Sequence, residues 1–456
     1  MTFSLSSLPL KQTLQEWQAL ALLGTPILVA QLAQMANGVV DTMMAGHASA
    51  QDLAAVGIGT SIWVPILLFL MGTLNALQPL ISGHRGAERF AHIIPLTWQG
   101  IYIALLSALI IAWPLSHLRP IFELLLLDEQ TTAIAQNYLT ALSWGVPAIL
   151  IMTALRGLTD GLGHTRVIMA FSLLSALLNL PLNYIFVFGK LGVPAMGGEG
   201  CGWATTASNW IALLALLAYL NINKAYRAFH LLDGWVKPNL AEIRQLLQLG
   251  LPIGLAMFVE VSMFCMIALF LAPLGATVVA GHQIVLNAIS LCFMVPLSLG
   301  MALTLRISFL VGAGQDDRAR LLARSAIALA LIISCINAPI LFFGRDLIAL
   351  LYTHDRDVQM IAAQLFALAA IFQIADVTQV TMINVLRGFK DTKLPMFIML
   401  FSFWGLCLPL GYVLTFKDWL HDPLGAQGFW AALIVGLSCA ALLLTIRVFQ
   451  FKQALK

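Results

Sequence analysis

Twelve apolar stretches of about 20 residues, separated by short polar segments, run along this sequence. A helix of about 20 apolar residues spans the hydrocarbon core of a bilayer. Lipid cannot hydrogen-bond an unpaired backbone, so such segments cross it as helices. The chain is 60% hydrophobic and only 10% charged, whereas a soluble domain usually carries about 25% charge. We therefore expect an all-α polytopic membrane protein with approximate spans at 20–46, 53–81, 93–115, 132–158, 167–189, 201–222, 247–273, 277–304, 325–344, 359–386, 394–416 and 428–446.

The basic residues predict the orientation of these spans. With this assignment, 19 of the 24 Lys and Arg side chains fall on one side of the membrane. Short loops rich in Lys and Arg stay in the cytoplasm. We therefore expect both termini to be cytoplasmic, as an even number of spans requires.

The two halves of the chain resemble each other. Six spans return the chain to its starting side, so the halves run in the same direction and their symmetry axis should lie along the membrane normal. We expect two six-helix lobes, 1–220 and 247–456, joined by a cytoplasmic linker at 221–246. The motifs that recur at offsets of 226–231 are Gly24-Thr-Pro26 with Gly250-Leu-Pro252, Leu155-Arg-Gly157 with Leu386-Arg-Gly388, and Leu180-Pro-Leu-Asn-Tyr184 with Leu408-Pro-Leu-Gly-Tyr412.

Three of the 21 acidic residues, Asp41, Glu260 and Asp376, lie well inside the expected spans. A charge at the centre of a membrane helix costs about 2.5–3.5 kcal/mol, and intramembrane acids usually serve transport of protons, cations or cationic substrates. At the 226-residue offset Glu260 aligns with Gln34, so the lobes share a scaffold but not their charges. Packing alone would more often repeat with the scaffold, which favours specialised chemistry.

Polar residues are expected near each acid. In the N-lobe, Gln34 lies two helical turns before Asp41, and Asn179 and Asn183 share a helix face. Thr205 could join them on the next span. These residues predict a pocket for a proton or a cationic group, although Asn and Thr also bond helices to one another in membranes.

In the C-lobe, Gln373 and Gln379 flank Asp376 at three residues on either side, and Gln283 and Asn287 lie four apart. Carboxylate and amide oxygens are hard ligands that suit Na⁺ or a proton. The alternative is a pair of permanently protonated acids packed between helices.

The remaining composition argues against other classes of protein. The six Cys are scattered without a C-x-x-C pair, so we expect neither a disulfide framework nor a zinc site. His282 is a lone histidine, for which packing is the simpler role. A membrane enzyme would need clustered ligands or a nucleophile with its base, and we expect no enzyme, no nucleic-acid partner and no cofactor beyond a coupling ion.

Several stretches resemble the multidrug and toxic compound extrusion (MATE) family, NorM subfamily, along nearly the whole chain. The resemblance implies twelve helices in two lobes around a cavity, and cation-coupled export of cationic, often aromatic drugs and dyes. It implies that Asp41 is the N-lobe acid, that Glu260 and Asp376 hold a monovalent cation, and that Gln34 and Gln283 line the cavity. The matching stretches are VVDTMMAG at 39–46, GGEGCG at 197–202, FVEV at 258–261, AGHQI at 280–284, QIADVTQV at 373–380 and LRGFKD at 386–391.

One position departs from that pattern. Members often carry Tyr four residues before the acid at position 376, where this chain has Phe372, which offers a cation–π face and no hydroxyl.

The expected function is therefore export of cationic drugs by Na⁺ or H⁺ antiport, by a monomer in a bacterial inner membrane. The alternative is a lipid-linked saccharide flippase, which should have a basic central cavity. A major-facilitator transporter would carry a different motif from Gly83-His-Arg-Gly-Ala-Glu-Arg89 between its second and third spans.

Overall fold

A computed structural model describes residues 10–124, 127–227, 235–418 and 422–450. Within these ranges the secondary structure is entirely helical, and twelve helical segments are long and apolar enough to cross a membrane. The expected all-α fold of twelve spans is confirmed. Both chain ends and part of the expected linker lie outside the described residues.

We number the twelve membrane-length segments in chain order. Most extend several residues beyond the expected spans, because polar end turns continue the helix after the apolar run has ended. They are α1 Lys11–Ala48, α2 Ala50–Gly86, α3 Phe90–Leu115, α4 Glu129–Gly161, α5 Thr165–Phe188, α6 Gly198–Ile222, α7 Leu240–Leu274, α8 Ala276–Gly312, α9 Asp316–Phe343, α10 Arg356–Gly388, α11 Lys393–Phe416 and α12 Ala426–Gln450. Short helices at Arg119–Leu124, Lys224–Arg227 and Arg345–Tyr352 lie between them.

Side-chain caps set the start of three of these helices. Ser49 accepts a hydrogen bond from the backbone N–H of Asp52 at the start of α2. Asp128 caps α4 in the same way, and Asp355 caps α10. Each cap satisfies a backbone donor that has no partner within its helix.

One helix changes its geometry inside the membrane-length segment. Residues Phe401–Cys407 of α11 form a π-helical stretch between α-helical turns. Such stretches are rare and occur frequently at functional sites.

The chain divides into two compact units. One comprises the chain up to Leu28 and from Leu255 onward, and the other comprises Val29–Gly254. In the second unit α4 packs against α2, α3 and α6, and in the first unit α10 packs against α8, α9 and α12. The central helices α4 and α10 also correspond in the sequence repeat, because each carries one copy of the shared Leu-Arg-Gly motif.

Both unit boundaries fall inside a continuous helix. One lies in α1 two residues after Pro26, and the other lies in α7 two residues after Pro252. The expected lobes 1–220 and 247–456 rest on the sequence repeat, whereas these units rest on packing, so the lobe boundaries stay a prediction.

The described part of the expected linker packs within the second unit. The hydroxyl of Tyr102 on α3 donates to the carbonyl of Val236 at 2.6 Å. The side-chain oxygen of Gln99, which is fully buried, accepts from the backbone N–H of Asn239 at 3.0 Å. These bonds attach the end of the linker to α3.

Small residues bring α7 close to α2 in the same unit. A methyl group added to Gly250 would lie 2.1 Å from the carbonyl oxygen of Thr73, and one added to Gly254 would lie 2.3 Å from that of Phe69. Glycines four apart allow such close approach of membrane helices. The first half of α7 therefore approaches the backbone of α2 closely at these two glycines.

We expect Gly250→Ala to destabilise the folded protein, because backbone atoms cannot move aside for the new methyl group as a flexible side chain could. Overpacking of this kind costs about 1–3 kcal/mol, so the thermal unfolding temperature of the detergent-purified protein should fall by several degrees. Gly57→Ala is the matched control, because nothing lies within 4 Å of its added methyl group. Equal unfolding temperatures for the two variants would contradict this account of the helix contact.

Candidate functional site

Asp41 lies at the centre of a hydrogen-bonded cluster in the second unit. Its side chain is 6% exposed. Asn183 donates to Oδ1 at 2.8 Å and Asn179 donates to the same oxygen at 3.3 Å. Thr205 donates to Oδ2 at 2.7 Å. The structure therefore brings together four of the residues that the sequence analysis singled out.

The helix α5 supplies both amides because of their spacing. Asn179 and Asn183 are one turn apart and fully buried, and Pro181 lies between them. The Asn183 amide nitrogen also contacts the backbone oxygen and the side-chain oxygen of Asn179, both at 3.0 Å. The Asn183 side-chain oxygen is buried without a hydrogen bond to any described residue. The cluster thus offers three donors to the carboxylate and holds one unused oxygen ligand.

Gln34 does not join this cluster. It lies on the exposed side of α1 and makes no hydrogen bond to Asp41 in the described part of the chain. Seven residues along a helix correspond to about 10.5 Å, which is beyond hydrogen-bonding reach although both side chains point in a similar direction. A ligand that contacts both Gln34 and Asp41 would therefore have to extend over about 10.5 Å along α1.

The other two acids lie in the first unit. Asp376 on α10 is 4% exposed, and Glu260 on α7 is half-buried. The two acids interact electrostatically, and Glu260 also interacts with the guanidinium of Arg387. Two like charges in a poorly solvated region repel each other, so a cation or a proton near them is stabilised.

Phe372 and His282 pack on the same buried indole ring, that of Trp430. The centroids of the Phe372 and Trp430 rings are 5.9 Å apart, and Phe264 contacts the Phe372 ring from α7. The indole N–H of Trp430 donates to Nδ1 of His282 at 3.2 Å. The ring of Phe372 is therefore held edge-on within an aromatic cluster, and His282 has the packed role that the sequence suggested.

The four amide residues expected in this unit fall into two groups. Gln373 and Gln379 are buried beside Asp376 on α10. Gln283 and Asn287 lie on the exposed side of α8 and form no hydrogen bond to either acid among the described residues. The first pair can contribute to a buried ion site, whereas the second pair is available to a larger molecule.

Two further buried acids were missed by the sequence analysis, because they lie at helix ends outside the expected spans. Glu16, 1% exposed, accepts from Arg306 at 2.7 and 3.1 Å and also from Arg318. Asp160, also 1% exposed, pairs with Arg156 at 3.2 Å. The four-residue spacing of Arg156 and Asp160 on one helix was the available signal.

The same ion pair places a basic residue inside a membrane-length helix. Arg156 is 5% exposed and lies inside α4, close to its end. It donates to Asp160 and to the side-chain oxygen of Gln31 at 2.9 Å. Its charge is therefore matched, and the buried arginine does not create a basic pocket.

Among the described residues no three His, Cys, Asp or Glu side chains come close enough together to hold a metal ion. Any cation held at these acids must therefore take its other ligands from amides, hydroxyls, carbonyls or water. Such neutral oxygens suit hard cations.

Comparisons with known proteins agree on one family. The family model described as MatE matches residues 26–185 and 252–413. The multidrug resistance protein PmpM of Pseudomonas aeruginosa is 42% identical over 97% of this chain and 94% of its own. The multidrug resistance protein MdtK of Yersinia enterocolitica is 40% identical over 95% of each chain. The crystal structure of the Vibrio cholerae MATE transporter VcmN in the bent form superposes with a TM-score of 0.83 at 21% identity, covering 97% of this chain and 99% of that one.

At 21% identity the VcmN structure shows only that the fold is shared. The family model, however, spans both halves of this chain, and the two relatives match the chain nearly end to end. The protein belongs to the MatE family of membrane transporters.

Proposed function

We propose that this protein exports cationic, lipophilic or aromatic drugs from the cell, in exchange for Na⁺, H⁺ or both. The names of its relatives support multidrug export. The observation that carries the coupling to an ion is the presence of three acids inside membrane-length helices, the buried Asp41 with its hydrogen-bonded cluster and the pair of half-buried Glu260 and buried Asp376. Intramembrane acids in such surroundings are typical of ion and proton pathways.

The geometry around Asp41 allows a proton to bind at one oxygen with little rearrangement. Asn amide nitrogens can only donate, so Oδ1 is occupied by donors. Thr205 can either donate or accept, and its hydroxyl already accepts from Asn179 at 3.0 Å. A proton arriving on Oδ2 can therefore donate to Thr205 after rotation of the hydroxyl. A bound Na⁺ would instead use the carboxylate and the unpaired oxygen of Asn183.

The pair Glu260 and Asp376 serves as the second ion-binding element. Each acid raises the cost of charge on the other, so the pair favours one shared cation or a proton over two free charges. A cationic drug that approached these acids would compete with the ion for the same negative charge. We propose that this competition couples entry of the ion to release of the drug.

Coupling of this kind follows from differential binding. A ligand shifts an equilibrium between conformations only by the difference in its affinity for them. Exchange of one cation for one monovalent drug moves no net charge, so the ion gradient alone drives it. A second entering cation would add about 2.3 kcal/mol per 100 mV of membrane potential.

The proposed setting is the cytoplasmic membrane of a bacterium, with both termini inside and the protein acting as a monomer in the lipid bilayer. The orientation is supported by the bias of Lys and Arg to one side. The flippase alternative is not favoured, because relatives that match nearly the whole chain are named multidrug resistance proteins, and the buried Arg156 is neutralised by its pairing with Asp160.

We expect Glu260→Gln and Asp376→Asn to lose ion-driven export, because each change removes a negative charge that holds the ion. The measurement is efflux of ethidium from proteoliposomes with Na⁺ and pH gradients imposed separately, and the rate should fall at least tenfold. Glu123→Gln is the control, since that acid is an exposed residue of a short helix. Unchanged efflux in both acid variants would contradict the proposed coupling.

We expect Thr205→Val to impair proton-driven export, while Thr205→Ser retains it. Valine keeps the shape of threonine but removes the hydroxyl that bonds Asp41, and a hydrogen bond to a charged group contributes about 1.5–3 kcal/mol. That loss corresponds to roughly a tenfold or larger fall in the rate under an imposed pH gradient. Equal rates for the valine and serine variants would show that the hydroxyl has no part in the exchange.

A further inference from the structure

Asp52, at the start of α2, contacts the first turn of α6, the helix that carries Thr205. Its Oδ1 accepts a hydrogen bond from the backbone N–H of Gly198 at 2.6 Å. Gly198 is the first residue of α6, so its N–H has no partner within that helix. A carboxylate at this end of a helix also complements the partial positive charge of the helix dipole. Asp52 therefore caps a helix that begins 146 residues further along the chain.

Both sides of this contact are shaped for it. The hydroxyl of Ser49 donates to Oδ2 of Asp52 at 2.6 Å, and the same hydroxyl accepts from the backbone N–H of Asp52 at 2.9 Å. This leaves Oδ1 for α6. Gly197 has a φ of +56°, and a methyl group added to it would lie 2.5 Å from Oδ1. Glycine is the residue that adopts this conformation without steric cost, so the carboxylate can approach the helix end closely.

The start of α6 is also in backbone contact with α5. A methyl group added to Gly200 would lie 2.7 Å from the carbonyl carbon of Phe186, near the end of α5. The helix α5 supplies the two amide donors to Asp41. A contact that holds the start of α6 therefore bears on both helices that donate to Asp41.

Asp52 and Asp41 belong to one closed path of helices and hydrogen bonds in the second unit. Thr205 lies seven residues after Gly198 on the same face of α6, and it donates to Asp41 at 2.7 Å. Asp41 lies seven residues before the end of α1, and only Ser49 separates α1 from α2. The two contacts are thus about 10.5 Å apart along α6, and Asp41 lies the same distance from the end of α1. The cap at Gly198 therefore matches the level at which Thr205 meets Asp41.

We propose that Asp52 is a positioning residue for proton exchange at Asp41. By capping α6 it fixes the height of that helix beside α1, and this keeps the Thr205 hydroxyl within hydrogen-bonding distance of the Asp41 carboxylate. Hydrogen bonds weaken steeply when they are misaligned, so a displacement of α6 by about 1 Å would disrupt the bond. The proposal rests on proton-coupled export as proposed above, and it adds a residue that does not touch Asp41.

The first test follows the position of α6 without any transport. Cys201 on α6 is fully buried, and its thiol donates to the backbone oxygen of Asp41 at 3.4 Å. We expect Asp52→Ala to raise the rate at which N-ethylmaleimide labels Cys201 at least fivefold, measured by peptide mass spectrometry on the detergent-purified protein. Asp52→Asn keeps an acceptor oxygen and should be labelled within about twofold of the unchanged protein. Asp128→Ala is the matched control, because Asp128 caps its own helix α4.

The second test measures export of ethidium from proteoliposomes under an imposed pH gradient. The rate should fall at least fivefold in Asp52→Ala, and the pH of half-maximal rate should shift in the same direction as in Thr205→Val. The double variant Asp52→Ala/Thr205→Val should be within about twofold of Thr205→Val alone, because both changes remove the same bond and their effects are not additive. Asp52→Asn should restore most of the rate, and Asp128→Ala should change neither the rate nor its pH dependence.

The outcomes separate this proposal from the proposed function. If the unchanged protein exports ethidium and Asp52→Ala matches it in rate and pH dependence, the role of Asp52 is overturned while proton-coupled export stands. If the losses of the two single variants multiply in the double variant, Asp52 acts independently of Thr205 and the proposal fails. If Asp128→Ala is as impaired as Asp52→Ala, the effect is a general loss of helix capping, which also overturns it.

Two further outcomes are decided by the same measurements. If the unchanged protein exports no ethidium under any gradient, the proposed function fails, and the labelling of Cys201 still decides whether Asp52 positions α6. If Asp52→Ala does not fold, Ser49→Ala takes its place, since it removes only the hydroxyl that donates to Asp52. It should then increase labelling and slow export in the same direction, and the absence of both changes overturns the proposal.

Discussion

The energetic cost of keeping a carboxylate out of water governs much of this structure. The buried acids differ in the groups that surround them. Glu16 and Asp160 are matched by arginines and Asp41 by three neutral donors, whereas Asp376 lies between two buried amide residues of its own helix, Gln373 and Gln379. An acid paired with arginine keeps its charge and fixes helices together. An acid surrounded by neutral groups can exchange its charge for a cation or a proton, and this distinguishes Asp41 from Glu16 and Asp160.

The neutral partners of Asp41 differ physically from the arginine partners of Glu16 and Asp160. A buried pair of opposite charges is strongly destabilised when one partner is removed, so it resists a cycle of binding and release. Amides and hydroxyls stabilise a carboxylate less strongly and can reorient. The units also differ in their proposed coupling acids, since one has the single, well-bonded Asp41 and the other has the pair Glu260 and Asp376.

The fold was largely predictable from the sequence because lipid permits few alternatives. Apolar length sets the number of helices, and the basic residues predict their direction. The cluster of Asp41, Asn179, Asn183 and Thr205 was predicted as a group because helical spacing places the two amides on one face. Glu16 and Asp160 were missed because helices continue beyond the apolar run, where hydropathy no longer marks them. The π-helical stretch of α11 could not be predicted, since nothing in FSFWGLC at 401–407 distinguishes it from an ordinary helical turn.

The division of α1 and α7 between the two packing units has a mechanical consequence. The chain passes from one unit to the other within these two helices, each time two residues beyond a proline, while the described part of the polar linker stays with one unit. A loop would absorb relative motion as slack, whereas a helix resists stretching and yields mainly by bending or twisting. Proline removes a backbone hydrogen bond at the point where such a helix bends most easily. Any displacement of one unit therefore has to appear as a bend or a twist in α1 and α7, the helices that carry Asp41 and Glu260, two of the proposed coupling acids.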